Sequence, residues 1–71
     1  MGQEQTLEQK VGAKLVALRE KAKLLQTDVA AGSGCGYRSI CRWELGEGLP
    51  SSRNLQKLAA FFETTPDRIL R

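Results

Sequence analysis

No histidine occurs in this chain, and Cys35 and Cys41 are its only cysteines. Two thiols without an imidazole cannot complete a four-ligand zinc site within one chain, so no metal is expected. The two cysteines flank the start of a short segment read below as a helix. A disulfide there is geometrically awkward, and reduced thiols in a cytosolic protein are the expectation. No apolar run approaches the roughly 20 residues of a membrane span. The opening MGQEQTLEQK lacks the apolar stretch of a signal peptide. There is no nucleophile with a nearby base, no metal set and no glycine-rich phosphate loop after a strand. An enzyme and a bound cofactor are therefore not expected.

A chain of 71 residues, 41% of them apolar, makes one domain with one small core. Lys and Arg exceed Asp and Glu by 11 to 8, a formal charge of +3. So mild a basic bias fits a nucleic-acid partner but fits an ordinary solvated surface as well.

The patterning is helical throughout. Thr6 followed by Gln9 is a capping-box pattern, so the first helix is expected from Leu7, after a flexible N-terminus over 1–6. Leu7, Val11, Leu15, Leu18 and Ala22 form one apolar stripe ending near Lys21. Gly12 weakens that helix by about 1 kcal/mol relative to Ala. A second helix is expected over 26–31, with Val29 and Ala30 inward, broken by Gly32, Ser33 and Gly34. Cys35 plugs the corner and Gly36 caps a third helix over 37–45, stopped by Gly46, Gly48 and Pro50. Ser51 or Ser52 caps a fourth helix with Leu55, Leu58, Ala59 and Phe62 buried. Thr65-Pro66-Asp67 opens a short fifth helix carrying Ile69 and Leu70. The expected fold is an all-α, compact five-helix bundle, the domain spanning 7–71.

The informative stretch is QTDVAAGSGCGYRSICRWELGEGLP, from Gln26 to Pro50. It reads as two short helices joined at a glycine-containing corner. The second carries Tyr37, Arg38 and Arg42 on one side and Ile40 and Trp43 on another. Two helices crossing at a tight turn, one with a basic and hydrogen-bonding outer face, suit a DNA major groove. The plainer reading of Arg38 and Arg42 is a solvated face, and Tyr37 has the option of folding back onto the core. Trp43 lies three residues from Ile40 and reads as core. Cys41 falls on the exposed side of this helix or at its margin, where it reads as a small packing residue.

These residues resemble the Cro and phage-repressor type of helix-turn-helix protein, the Xre family. The resemblance is carried by Leu18-Arg19, Gln26, Val29-Ala30, Gly34, Ile40, Arg42-Trp43-Glu44, Gly46, Pro50, Leu55 and Leu58, across about 11–70. Three positions depart from the family pattern. Leu25 stands where Ser or Thr is usual, losing a cap worth about 1 kcal/mol that Asp28 compensates in part. Ser33 stands before the corner glycine in place of a large apolar residue, which predicts a less well packed turn. Gly36 stands where Ser is common, so a hydroxyl cap is missing.

The resemblance implies a docking geometry. The third helix lies in the major groove, with Tyr37, Arg38 and Arg42 at the bases. Arginine bonds bidentately to guanine O6 and N7, while tyrosine gives one hydrogen bond or packs on a thymine methyl. Gln26, at a helix N-terminus, is implied as a phosphate contact, with Ser39, Ser51, Ser52 and Arg53 alongside it. Glu47 in the following loop would repel phosphate and is expected to point away. Arg19 and Glu44 are implied to pair, tying the first helix to the end of the third. A single module rarely reaches specific affinity, so a homodimer on palindromic double-stranded DNA is implied. Phe61, Phe62, Ile69 and Leu70 are the expected dimer contacts, since adjacent phenylalanines cannot both face one core. The other arrangement turns both inward. The expected function is a sequence-specific transcriptional regulator, a repressor, in the cytoplasm of a bacterial or phage-infected cell. The competing reading is a protein-interaction module, such as an antitoxin or adaptor, holding a protein partner on the same helices. A basic third helix favours DNA over that alternative.

Overall fold

Five α-helices make up the regular structure of the described residues: α1 (Leu7–Lys21), α2 (Gln26–Ser33), α3 (Tyr37–Glu44), α4 (Ser52–Phe62) and α5 (Pro66–Leu70). They are seen in a computed structural model that describes residues 4–71, and no strand occurs among the described residues. Part of the expected flexible segment, 1–3, lies outside the described residues.

Local chemistry sets most helix boundaries. Thr6 Oγ1 accepts from the Gln9 N–H at 3.1 Å, and Gln9 Oε1 accepts from the Thr6 N–H at 2.9 Å, closing the capping box at α1. Ser51, rather than Ser52, caps α4 by accepting from the Asn54 N–H at 3.2 Å. Thr65 caps α5, with Pro66 at its start. The C-terminal ends of α1 and α4 have no glycine to mark them. Lys23 (φ 59°) follows α1 and Glu63 (φ 58°) follows α4, both in the left-handed region. Each sits in a closing turn in which a later N–H reaches back over the helix end, Leu24 to Arg19 at 3.0 Å and Thr64 to Ala59 at 2.8 Å.

The core is Val11 and Leu15 of α1, Val29 of α2, Cys35 of the corner, Ile40 and Trp43 of α3, Leu55, Leu58 and Ala59 of α4, and Ile69 of α5. Leu18, Leu24, Ala30, Phe61 and Phe62 pack around it half-buried. Helix α1 lies against α3 and α5, while α2 lies against α3 and α4. The expected stripe on α1 is too long at both ends. Leu7 is 46% exposed and Ala22 is also exposed, because the neighbouring helices cover only the middle of α1.

Two glycines allow helices to touch backbone to side chain or backbone to backbone. A Cβ on Gly12 would overlap the carbonyl oxygen of Trp43 and stand 3.1 Å from that of Glu44. Gly12 is therefore the point where α1 meets the C-terminal carbonyls of α3, a role beyond the weakening that helix propensity assigns. A Cβ on Gly32 would overlap the Phe61 ring. The contact is made inside α2, which continues through Gly32 to Ser33, two residues further than expected. It also commits one edge of Phe61 to its own chain.

Gly12→Ala is expected to lower stability by about 2 kcal/mol or more, because two backbone carbonyls must move. Urea unfolding measures this. Helix propensity alone predicts the opposite sign, a gain of about 1 kcal/mol.

Candidate nucleic-acid interface

Helix α2 ends at Gly34, whose φ of 79° turns the chain, and α3 starts after Gly36. Cys35 between them is 6% exposed, with its Sγ 3.7 Å from Asn54 Oδ1 at the start of α4. The expected loose packing at Ser33 is answered by hydrogen bonds. Its hydroxyl donates to the Val29 carbonyl at 2.6 Å and accepts from the Cys35 N–H at 3.2 Å. A polar staple thus replaces apolar bulk at the corner. At the other end of α2, Leu25 has no acceptor to cap with, and Asp28 Oδ2 takes the Leu25 N–H at 2.8 Å. This supplies one half of a capping box.

The amphipathic division of α3 is sharp. Ile40 is 1% exposed and Trp43 7%, so they anchor the helix in the bundle. Tyr37, Arg38 and Arg42 lie on the outside. Neither Arg38 nor Arg42 makes an ion pair or side-chain hydrogen bond among the described residues. Tyr37 is 49% exposed and does not fold back onto the core. Cys41 sits half-buried at the margin, and Ser39 is half-buried on the opposite edge. Leu45 continues the outer face and is 71% exposed. Its spacing of three from Arg42 and seven from Arg38 is the sequence signal for that position.

Arg19, Glu44 and Gln26 meet behind this face. Arg19 Nε donates to Glu44 Oε2 at 2.7 Å and Nη2 donates to Oε1 at 3.1 Å, a bidentate pair with side chains 17% and 6% exposed. Arg19 Nη1 also donates to the Leu24 carbonyl at 3.0 Å. The guanidinium pKa is raised, first by the hydrogen bond to Glu44, with burial acting against it. Gln26 Nε2 donates to Glu44 Oε1 at 2.9 Å, and Cys41 Sγ approaches Gln26 Oε1 at 3.5 Å. Both ends of the Gln26 side chain are thus occupied within the protein. What α2 leaves open at its N-terminus is backbone N–H.

The remaining expected contact residues divide into two groups. Ser51, Ser52 and Arg53 are exposed together at the N-terminus of α4, and Glu47 is exposed in the loop before it. At the other end, Phe61 and Phe62 are half-buried, their ring centroids 5.0 Å apart with planes at 73°, and both pack on the core. Leu70 is 36% exposed. Ile69 is not a surface residue: at 1% exposed it is among the most buried side chains, because α5 turns it onto the core. So buried a side chain has no surface to offer a second copy, contrary to its expected place among the dimer contacts. Both cysteines are free thiols, and no cluster of metal-binding side chains occurs among the described residues. No helix among the described residues is long and apolar enough to cross a membrane.

A helix pair joined at a glycine corner, its second helix anchored on one side and cationic on the other, defines a helix-turn-helix protein of the DNA-binding kind. The family model described as Helix-turn-helix matches residues 15–69, and the chain belongs to that family, in its Cro and phage-repressor form. Among solved structures, the restriction-modification controller protein of Aeromonas hydrophila is similar. Its TM-score is 0.82 at 31% identity, over 90% of this chain and 96% of that one. A comparison with curated proteins found no match.

Arg19→Ala is expected to cost about 3 kcal/mol in urea unfolding, because the nearly buried Glu44 carboxylate loses its charge partner. A second expectation concerns Tyr37. Its phenol pKa is raised, chiefly by the neighbouring Cys41 side chain, with desolvation adding to it. A raised value keeps the neutral, proton-donating phenol to higher pH than in the unfolded chain. Any stability it contributes is present below the unfolded pKa and lost as pH rises through the folded one. Tyr37 is the only tyrosine, so phenolate absorbance reports it alone. Cys41→Ala should lower the midpoint.

Proposed function

We propose that this DNA-binding regulator is a sequence-specific transcriptional repressor that sets α3 in the major groove of operator DNA and binds as a homodimer. The observation that carries the reading is the free cationic side of α3. Arg38 and Arg42 are exposed and unpaired among the described residues while Ile40 and Trp43 hold the helix in place. Charged side chains with no partner in the protein are available to guanine edges without first breaking a contact. Tyr37, at the helix start, is the third base-reading residue. Ser39, Ser51, Ser52 and Arg53, with the open N–H groups of α2 and α4, meet the flanking phosphates. The likeness to a restriction-modification controller protein supports a regulatory role, and the repressor sense rests on the phage-repressor resemblance.

The dimer is proposed on energetic grounds. One module of this size buries a modest area on DNA, and two modules on a palindrome double it. Leu70 and the outer edges of Phe61 and Phe62 form the proposed contact.

The test is selection of genomic fragments by the protein, repeated at two salt concentrations. A retained sequence preference as salt rises supports the regulator; binding that fades uniformly for all fragments removes it. Arg38→Ala should lose preference at one or two base pairs, by about 1–3 kcal/mol each, with affinity for unrelated fragments much less affected. A variant that discriminates like the parent would take Arg38 out of the reading face.

A further inference from the structure

Gln26 touches α3 at two points. Its Nε2 donates to Glu44 and its Oε1 meets Cys41. Those two residues are three apart, so they stand one turn above the other on the edge of α3 that faces α2. The carboxamide has only one workable orientation. A carboxylate has no proton to donate, so the end facing Glu44 is the NH2 group, and the oxygen is left for the Cys41 thiol. Glu44 is itself immobilised by both arms of Arg19. Gln26 therefore connects the N-terminus of α2 to a fixed reference at the end of α3.

This arrangement bears on rotation. The apolar contacts of Ile40 and Trp43 drive α3 into the bundle but are non-directional. The corner between α2 and α3 contains Gly34 and Gly36, which constrain the backbone little. Hydrogen bonds are directional, and a pair spread over one turn resists rotation of the helix about its own axis. Turning α3 on its axis would carry Arg38 and Arg42 past one base edge toward another.

We propose that Gln26 is a positioning residue: its paired contacts with Glu44 and Cys41 set the rotational pose of α3 and so determine which bases Arg38 and Arg42 meet. The inference rests on α3 being the reading helix and deepens that assignment. It is separable from a phosphate contact. A phosphate contact strengthens every sequence alike, whereas a positioning contact strengthens the difference between sequences.

The experiment uses the full chain with its best selected fragment, all single-base substitutions of that fragment, and an unrelated duplex. Binding is measured for the parent, Gln26→Ala, Cys41→Ala, Cys41→Ser and the Gln26→Ala/Cys41→Ala double variant. Urea unfolding of each verifies the fold. Gln26→Ala should lower discrimination at the arginine-read positions about fivefold or more, with affinity for the unrelated duplex within about twofold of the parent. Cys41→Ala should shift the same positions, and the double variant should be no worse than Gln26→Ala, since both remove one linkage. Cys41→Ser keeps a donor for Gln26 and should retain most of the preference. Gln26→Lys keeps a donor for Glu44 but no acceptor for Cys41, and serves if Gln26→Ala folds poorly; it should follow Cys41→Ala. Equal weakening of every fragment with the ratios intact would overturn the proposal in favour of a phosphate contact, and unchanged binding would overturn it too. A parent chain with no sequence preference would instead remove the DNA-reading function, and this role with it.

Discussion

The bidentate contact between Arg19 and Glu44 is the constraint on which the rest of the structure depends. It joins the last turn of α1 to the last turn of α3, and Gln26 brings the first residue of α2 to the same carboxylate. Three helices are thereby referenced to one side chain that is 6% exposed. Burying such a pair gains little net free energy over well-packed apolar residues, because desolvation offsets most of the attraction. What it contributes is geometry. A carboxylate with both oxygens engaged tolerates little displacement, whereas an apolar contact tolerates sliding. Gly12 lies at the same α1–α3 contact, where the absent Cβ leaves room for the Trp43 and Glu44 carbonyls.

The outer face of α3 inherits its character from this inner anchoring. Glu44 takes the charge of Arg19, and no acid of the described residues does the same for Arg38 or Arg42. Both cations face outward, on a helix whose inward side is committed to Ile40 and Trp43. The corner shows the same economy of means. Ser33 bonds the Val29 carbonyl and the Cys35 N–H, and Asp28 takes the Leu25 N–H. At Ser33 hydrogen bonds stand where a large apolar side chain is more common.

Much of this was legible in the chain itself. The Thr6–Gln9 box, a serine cap at Ser51 or Ser52, the cap at Thr65, the corner at Gly34 and the alternation of Ile40 and Trp43 with Arg38 and Arg42 are all local. Each depends on residues within one turn of each other, so spacing is enough to read them. The left-handed ends at Lys23 and Glu63 were not legible, because neither residue type favours that conformation and only the closing hydrogen bonds hold it. The extent of the α1 stripe was misjudged for a related reason. Periodicity says which face is apolar, but neighbouring helices decide how far along that face is covered.

By itself, then, the order of residues determined the number and type of helices, most of their ends, and which side of α3 carries charge. Only the tertiary structure decided what Gly12 is for, where the Phe61 ring lies, why Ile69 is inside, and that the Gln26 side chain turns toward Glu44 and Cys41. The reason is separation along the chain. Those are contacts between residues many turns apart, and composition and spacing carry no record of which distant surfaces meet.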